Sequence, residues 1–248
     1  MSKYETLLAL HNYAVVDLNI IGEEDWHGEL PLQDIVPKGM ESDTERMPKL
    51  LLLEEDAPYM AWLARNIEAA SKGRGEYLFS CLLDAPDTSP DEMMAHLQRH
   101  LVFDSRQGKG MLRFYDGQVF PHLQWMLFAP TLKALFGPVK AWTVRLLHGW
   151  FSATPPEGDD ARAYWALHED ERAQVNRIHQ INLALNKWQR QQARPWKDLG
   201  EFHLMSRRIK ELLLKAQNEA RIQGATEQIS FALRMIEAHS QTNPAWQP

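Results

Sequence analysis

The fold turns on Met111-Leu112-Arg113-Phe114-Tyr115-Asp116, followed some twenty residues later by Leu135-Phe136-Gly137-Pro138-Val139. Read as a strand, the first run places Met111, Arg113 and Tyr115 on one face and Leu112, Phe114 and Asp116 on the other. An arginine among such residues needs a carboxylate or carbonyl partner. The second run closes a short helix at Gly137-Pro138, because glycine tolerates the helix-ending turn and proline cannot continue the helix.

Just upstream, Ser89-Pro90-Asp91-Glu92 carries the residues of a capping box with proline in the first turn, so a helix begins there. Met93, Met94, Leu97 and Leu101 give it an inward face to about Phe103, and Gln107-Gly108-Lys109-Gly110 turns the chain into 111–116. Downstream, 119–128 and 131–136 read as short helices parted by Pro130, and 141–146 as a last strand. Upstream, 13–18, 47–53 and 77–83 are short apolar runs without helical spacing and read as buried strands. Residues 57–70 follow helical spacing between the last two. Alternating strands and helices predict an N-terminal α/β (α+β) lobe, with a mixed sheet flanked by helices, over residues 1–152. Residues 19–45 form an acidic stretch with Gly22, Gly28, Gly39, Pro31 and Pro37, and loops are expected there.

Pro155-Pro156-Glu157-Gly158-Asp159-Asp160 breaks the pattern and marks a boundary. Beyond it, over 160–241, three apolar stripes predict a C-terminal lobe of about three helices. The first stripe is Val175, Ile178, Ile181, Leu185 and Trp188. The second is Phe202, Met205, Ile209, Leu212, Ala216 and Ala220, and the third is Ile229, Leu233 and Ile236 behind a Thr226 cap. The tail from Thr242 is expected to be mobile.

The 248 residues can bury a large core, and 44% hydrophobic with 24% charged residues is an ordinary globular composition. The start of the chain lacks a basic segment with an apolar run behind it, no stretch is long enough to span a bilayer, and Cys81 stands alone, so a cytoplasmic protein without disulfides is expected. Residues 1–150 hold 14 basic against 21 acidic groups, a net of −7, and 151–248 hold 13 against 12, a net of +1. This balance argues against nucleic acid as a partner. Arg172, Arg177, Lys187, Arg190, Arg207, Arg208 and Lys210 lie near Trp188 and Trp196, but neighbouring acids dilute their field.

Catalytic signatures are sparse. Gly108-Lys109-Gly110 precedes a strand and not a helix, no serine elbow occurs, and Cys81 has no histidine near it in sequence. Glu92, His96 and His100 repeat every four residues on one helix row, where two imidazoles could share a metal. A metal-dependent hydrolase is therefore the alternative reading, although no third firm ligand follows. No cofactor is expected.

The order His96-Leu97, Leu112-Arg113-Phe114-Tyr115-Asp116, then Leu135-Phe136-Gly137-Pro138-Val139 and Trp142 resembles the domain of unknown function found in type VI secretion effector adaptors. The likeness extends to 13–17 and 50–53, and more weakly to Ala216, Ala220 and 224–231, and so covers most of the chain. It implies a cytoplasmic, non-enzymatic adaptor or chaperone that binds a cognate effector and helps load it onto the VgrG spike. It also implies that His96, Arg113, Phe114, Tyr115, Asp116, Phe136, Gly137 and Pro138 are structural. At 19–45 the acidic loop stands where the family has a helix. Trp150, Trp165 and Trp196, with Arg177 and Trp188, are the candidates for partner contact, because Trp and Arg dominate interface energies.

Overall fold

A computed structural model describes residues 2–17, 30–74, 77–105, 108–146, 149–158, 165–192 and 196–242. They form two compact units. The first comprises residues 1–120 and 127–167, and the second 121–126 and 168–248. The chain divides at Leu167 and His168, beyond the proline-rich stretch, and a short helical segment is lent to the second unit from within the first.

The first unit opens with α1 (Lys3–Ala9), closed at its start by a Ser2–Glu5 capping box. Then come β1 (Tyr13–Val16), β2 (Gln33–Asp34), a 3₁₀ stretch at Glu41–Arg46, β3 (Lys49–Leu52), α2 (Met60–Ser71) and β4 (Cys81–Asp84). The unit continues through α3 (Pro90–Leu101), the hairpin β5 (Val102–Ser105) and β6 (Gly108–Met111), and α4 (Phe120–Met126). It ends with α5 (Ala129–Phe136), β7 (Ala141–Leu146) and β8 (Gly149–Ala153). The main sheet has the order β2-β3-β1-β4-β7-β8. Its class is as expected, but every pairing is antiparallel, where a mixed sheet was expected.

The reason lies in β1. Strands β3 and β4 run in the same direction with α2 crossing between them, as helix–strand alternation suggests, but β1 sits between them and is antiparallel to both. All four residues of β1 are buried, which is why it reads as a continuous apolar run. One face of the sheet carries Ala14, Val16, Leu51 and Leu82 into a core completed by Leu8 of α1 and by Leu63, Ala64 and Ile67 of α2. The opposite face carries Tyr13, Val15, Leu83 and Trp142.

Residues 111–116 do not form the expected strand. The helix before them ends at Leu101, Met111 closes the hairpin opposite Val102, and the chain then turns on itself. Phe114 N–H donates to Leu112 O at 2.8 Å and Asp116 N–H to Arg113 O at 3.0 Å, so these carbonyls are engaged within the turn and not in a ladder. Period-2 alternation fails accordingly: Leu112, Phe114 and Tyr115 are all buried. Gly117 seats this turn, because a Cβ there would lie 2.3 Å from the Arg145 carbonyl oxygen of β7.

The second unit holds α6 (Glu169–Val175), α7 (Ile178–Gln192), α8 (Leu199–Asn218) and α9 (Ala225–Thr242), together with residues 121–126 of α4. Ile178, Ile181, Leu185 and Trp188 of α7 face Phe202, Met205, Ile209, Leu212 and Ala216 of α8 in a shared core, with Ile229, Leu233 and Ile236 of α9. The three expected stripes are therefore three long helices, with α6 as an additional short one. Three details differ from expectation. Val175, expected to open the first stripe, is the last residue of α6. Helix α8 stops at Asn218, leaving Ala220 exposed beyond it, and α9 begins at Ala225, so Thr226 lies inside the helix and is not its cap. The expected mobile tail falls on residues 243–248, and much of the acidic stretch on 18–29, both outside the described residues.

Candidate functional site

The sequence elements that read as one pattern meet around Trp142, which is fully buried on β7. Phe114 stands edge-on to its ring at 5.4 Å, Phe136 at 6.0 Å, and Phe120 stacks on it at 4.8 Å. Arg113, beside Phe114, donates through Nη2 to Asp17 Oδ2 at 2.9 Å and lies 3.5 Å from Asp116 Oδ2. Asp17, at the end of β1, is 1% exposed, whereas Arg113 is 38% exposed, so the guanidinium bridges a buried carboxylate to the surface. Burial works against the Arg113 charge, but Asp116, Tyr115 and Asp17 together hold its pKa above the ordinary value. Burial, reinforced by the Asp17 charge, pushes the Tyr115 phenol up, and burial also raises Asp116. Asp116 further accepts from Gln118 N–H at 2.8 Å, fixing the turn.

Gly137 explains why His96 belongs to the same pattern. Its φ is +52°, and a Cβ on it would lie 2.3 Å from the His96 ring, so only glycine fits. His96 in turn uses Nε2 to donate to Leu135 O at 2.9 Å, one of the carbonyls left open at the end of α5. Pro138 is exposed just past this stop.

The possible metal row has other engagements. Glu92 serves the helix start, accepting from Ser89 N–H at 3.0 Å and Ser89 Oγ at 2.8 Å. His100 Nδ1 reaches His96 O at 2.7 Å, and its ring meets Trp165 edge-on at 4.6 Å. Burial brings His96 down to about 4 and His100, further depressed by His96, to about 3, so both imidazoles are neutral at pH 7. Among the described residues no group of three or more His, Cys, Asp or Glu converges as metal ligands. Cys81 is buried between β1 and β7, and burial pushes its thiol up.

The partner candidates separate into two groups. Trp150 on β8 is half-buried, edge-on to Tyr77 at 6.4 Å, and Trp165 is half-buried with its indole N–H donating to Val102 O at 3.2 Å. Trp188 and Trp196 are only 5% and 6% exposed and stack on each other at 5.3 Å. Their stacking, with Phe202 edge-on to Trp196 at 5.5 Å, shapes the core of the second unit, and their burial withdraws them from a contact surface. Arg177 donates to Gln217 Oε1 at 3.0 Å.

The sequence reading missed a cluster in the second unit that is centred on Trp125 of α4. Lys210 Nζ lies 5.1 Å and the Arg207 guanidinium 5.8 Å from its ring centre, both from α8. His122, fully buried one turn earlier, bonds through Nε2 to Asn182 Oδ1 of α7 at 2.7 Å, and its ring lies 5.0 Å from that of Phe202. Burial depresses both His122 and His203 to about 4, so both are neutral at pH 7. Nothing in the sequence near Trp125 announces this cluster, because its cations come from a helix about eighty residues away.

Comparison with family models, characterised proteins and solved structures gave no match to the chain. No described helix is long and apolar enough to cross a membrane.

Proposed function

We propose that this protein is a cytoplasmic adaptor or chaperone of type VI secretion, one that holds a cognate effector and helps load it onto the VgrG spike. The observation that carries this reading is the convergence of the pattern on which the resemblance rests. His96 seats against Gly137, Arg113 is anchored on Asp17, and Phe114 and Phe136 share the ring of Trp142. Elements spread over some 125 residues thus act as one folding unit, which supports a family likeness over a chance match of short strings. The polar members of the pattern face one another and the backbone, and binding is left to surface beyond them.

Co-expression with the protein encoded beside it, followed by affinity purification, tests the proposal. The expected result is a stable complex that also takes up VgrG. Absence of any complex with either protein overturns it.

A further inference from the structure

We infer that the α8 face running from Arg207 to Gln217 is a docking strip for a short acidic segment of a partner polypeptide. Arg207, Lys210, Leu214 and Gln217 follow one another at helical spacing along this face, with Trp125 against its first turn and Arg177 clasped to Gln217 at its far end. Ten residues of helix measure about 15 Å, the reach of four to five residues of extended peptide.

What sets these cations apart is what holds them. For contrast, Lys49 is matched to the carboxylate of Asp34, Lys72 to Glu68, Lys140 to Asp87 and Arg113 to Asp17. Here the fixing groups are neutral. Lys210 donates to Gln174 Oε1 and Arg177 to Gln217 Oε1, each at 3.0 Å, and the indole face of Trp125 positions Arg207 and Lys210. Amide oxygens and a π face orient the charges without cancelling them, and Glu211 is the acid acting on Lys210. Burial comes first among the influences that depress Lys210, the Glu211 charge works against it, and repulsion from Arg207 and Arg177 adds to the depression, so an added carboxylate would relieve Lys210.

An acidic peptide fits better than nucleic acid. The chain carries a net −6, and 151–248 only +1. A phosphate backbone extending past the strip would meet a negative or neutral field, whereas a few carboxylates end where the cations end. The inference deepens the adaptor reading, which supplies the partner's identity, and the peptide arm of the test stands without that reading.

The test measures binding of fluorescein-labelled hexaglutamate to the full chain by anisotropy at low salt, with a hexathymidylate of similar charge in parallel. The expected result is saturable hexaglutamate binding that weakens as salt is raised, with a loss of roughly tenfold or more in R207Q/K210Q. A K187Q/R190Q control removes the same charge from α7 and should retain binding. Arg207→Glu, should lose binding further, and circular dichroism confirms that each variant is folded. Equal binding by R207Q/K210Q and the unsubstituted chain overturns the inference, as does tighter binding of hexathymidylate. In co-purification with the neighbouring gene product, full retention by R207Q/K210Q overturns the strip alone and leaves the adaptor reading standing. Failure of the unsubstituted chain to co-purify overturns the adaptor reading, while the hexaglutamate result still decides the strip.

Discussion

Arg113 in the first unit and the Arg207–Lys210 pair in the second are cations set beside aromatic rings, yet they do opposite work. Arg113 meets two carboxylates, one of them nearly inaccessible to water, and so ties the turn at 112–117 to the end of β1. Arg207 and Lys210 meet an indole and an amide oxygen and retain their charge for something outside. The type of neutralising partner thus separates an architectural cation from one available for binding, and residue type with exposure does not. Arg113 is itself 38% exposed and would pass as a surface arginine.

The widest separation between the units should appear on removing their central indoles. Trp142 joins rings from three distant segments, whereas Trp188 and Trp196 belong to neighbouring segments that helix packing already brings close. Trp142→Ala should destabilise the protein by about 3–5 kcal/mol in urea unfolding, the range for emptying a large aromatic site, and Trp188→Ala by less. An equal or smaller loss at Trp142 would remove the long-range cluster from the centre of the first unit.

The same contrast explains what could be read in the sequence. The Ser89–Glu92 box, the three long C-terminal helices and strands β1, β3 and β4 are written in neighbouring residues, and they stand where local chemistry places them. The strands of the hairpin are hard to read because β6 is Gly108-Lys109-Gly110-Met111, with almost no side-chain alternation, and the ring of Phe103 lies over a cross-strand partner, Gly110, that has no side chain. Residues 111–116 mislead for the converse reason, since their alternation is present but their carbonyls accept bonds within the turn. The need of Arg113 for a carboxylate was legible, but its partner Asp17, 96 residues away, was not. The Trp125 cluster was not legible at all, because nothing local distinguishes Arg207 and Lys210 from paired helix cations.

Gly137 offers the next largest effect. Gly137→Ala combines a left-handed backbone with a clash against His96 and should cost about 1–3 kcal/mol. His96→Ala removes the ring that the new methyl would meet, so the H96A/G137A double variant should lose less than the sum of the single losses, with a coupling of at least about 0.5 kcal/mol. Strict additivity in a urea-denaturation cycle would mean that the histidine and the glycine are independent and would separate two elements of the shared pattern.

Arg113→Met keeps the apolar stem and leaves Asp17 buried without its main cation. Fully buried pairs lose about 3–5 kcal/mol when broken, but partial exposure of Arg113 lets water screen the change, so about 1–2 kcal/mol is expected. Hexaglutamate binding should be unaffected. Loss of binding without loss of stability would reverse the roles assigned to the two kinds of cation.

The smallest effect is the sharpest test of the distinction. In R207Q/K210Q no carboxylate is left buried and unmatched, and Lys210 gives up both its attraction to Glu211 and its repulsion from Arg207 and Arg177. What is lost is cation–π attraction at the half-buried Trp125 ring, about 0.5–1 kcal/mol per contact, with the pull of Glu211, and what is gained is relief of repulsion of similar size. The two nearly cancel, so the stability from urea unfolding should stay within about 0.5 kcal/mol of the unsubstituted protein. A protein that relied on these cations for its fold would show a clear loss of stability in R207Q/K210Q. That outcome would make the second unit's cations architectural, like Arg113, and would leave the molecule without the asymmetry on which its binding face rests.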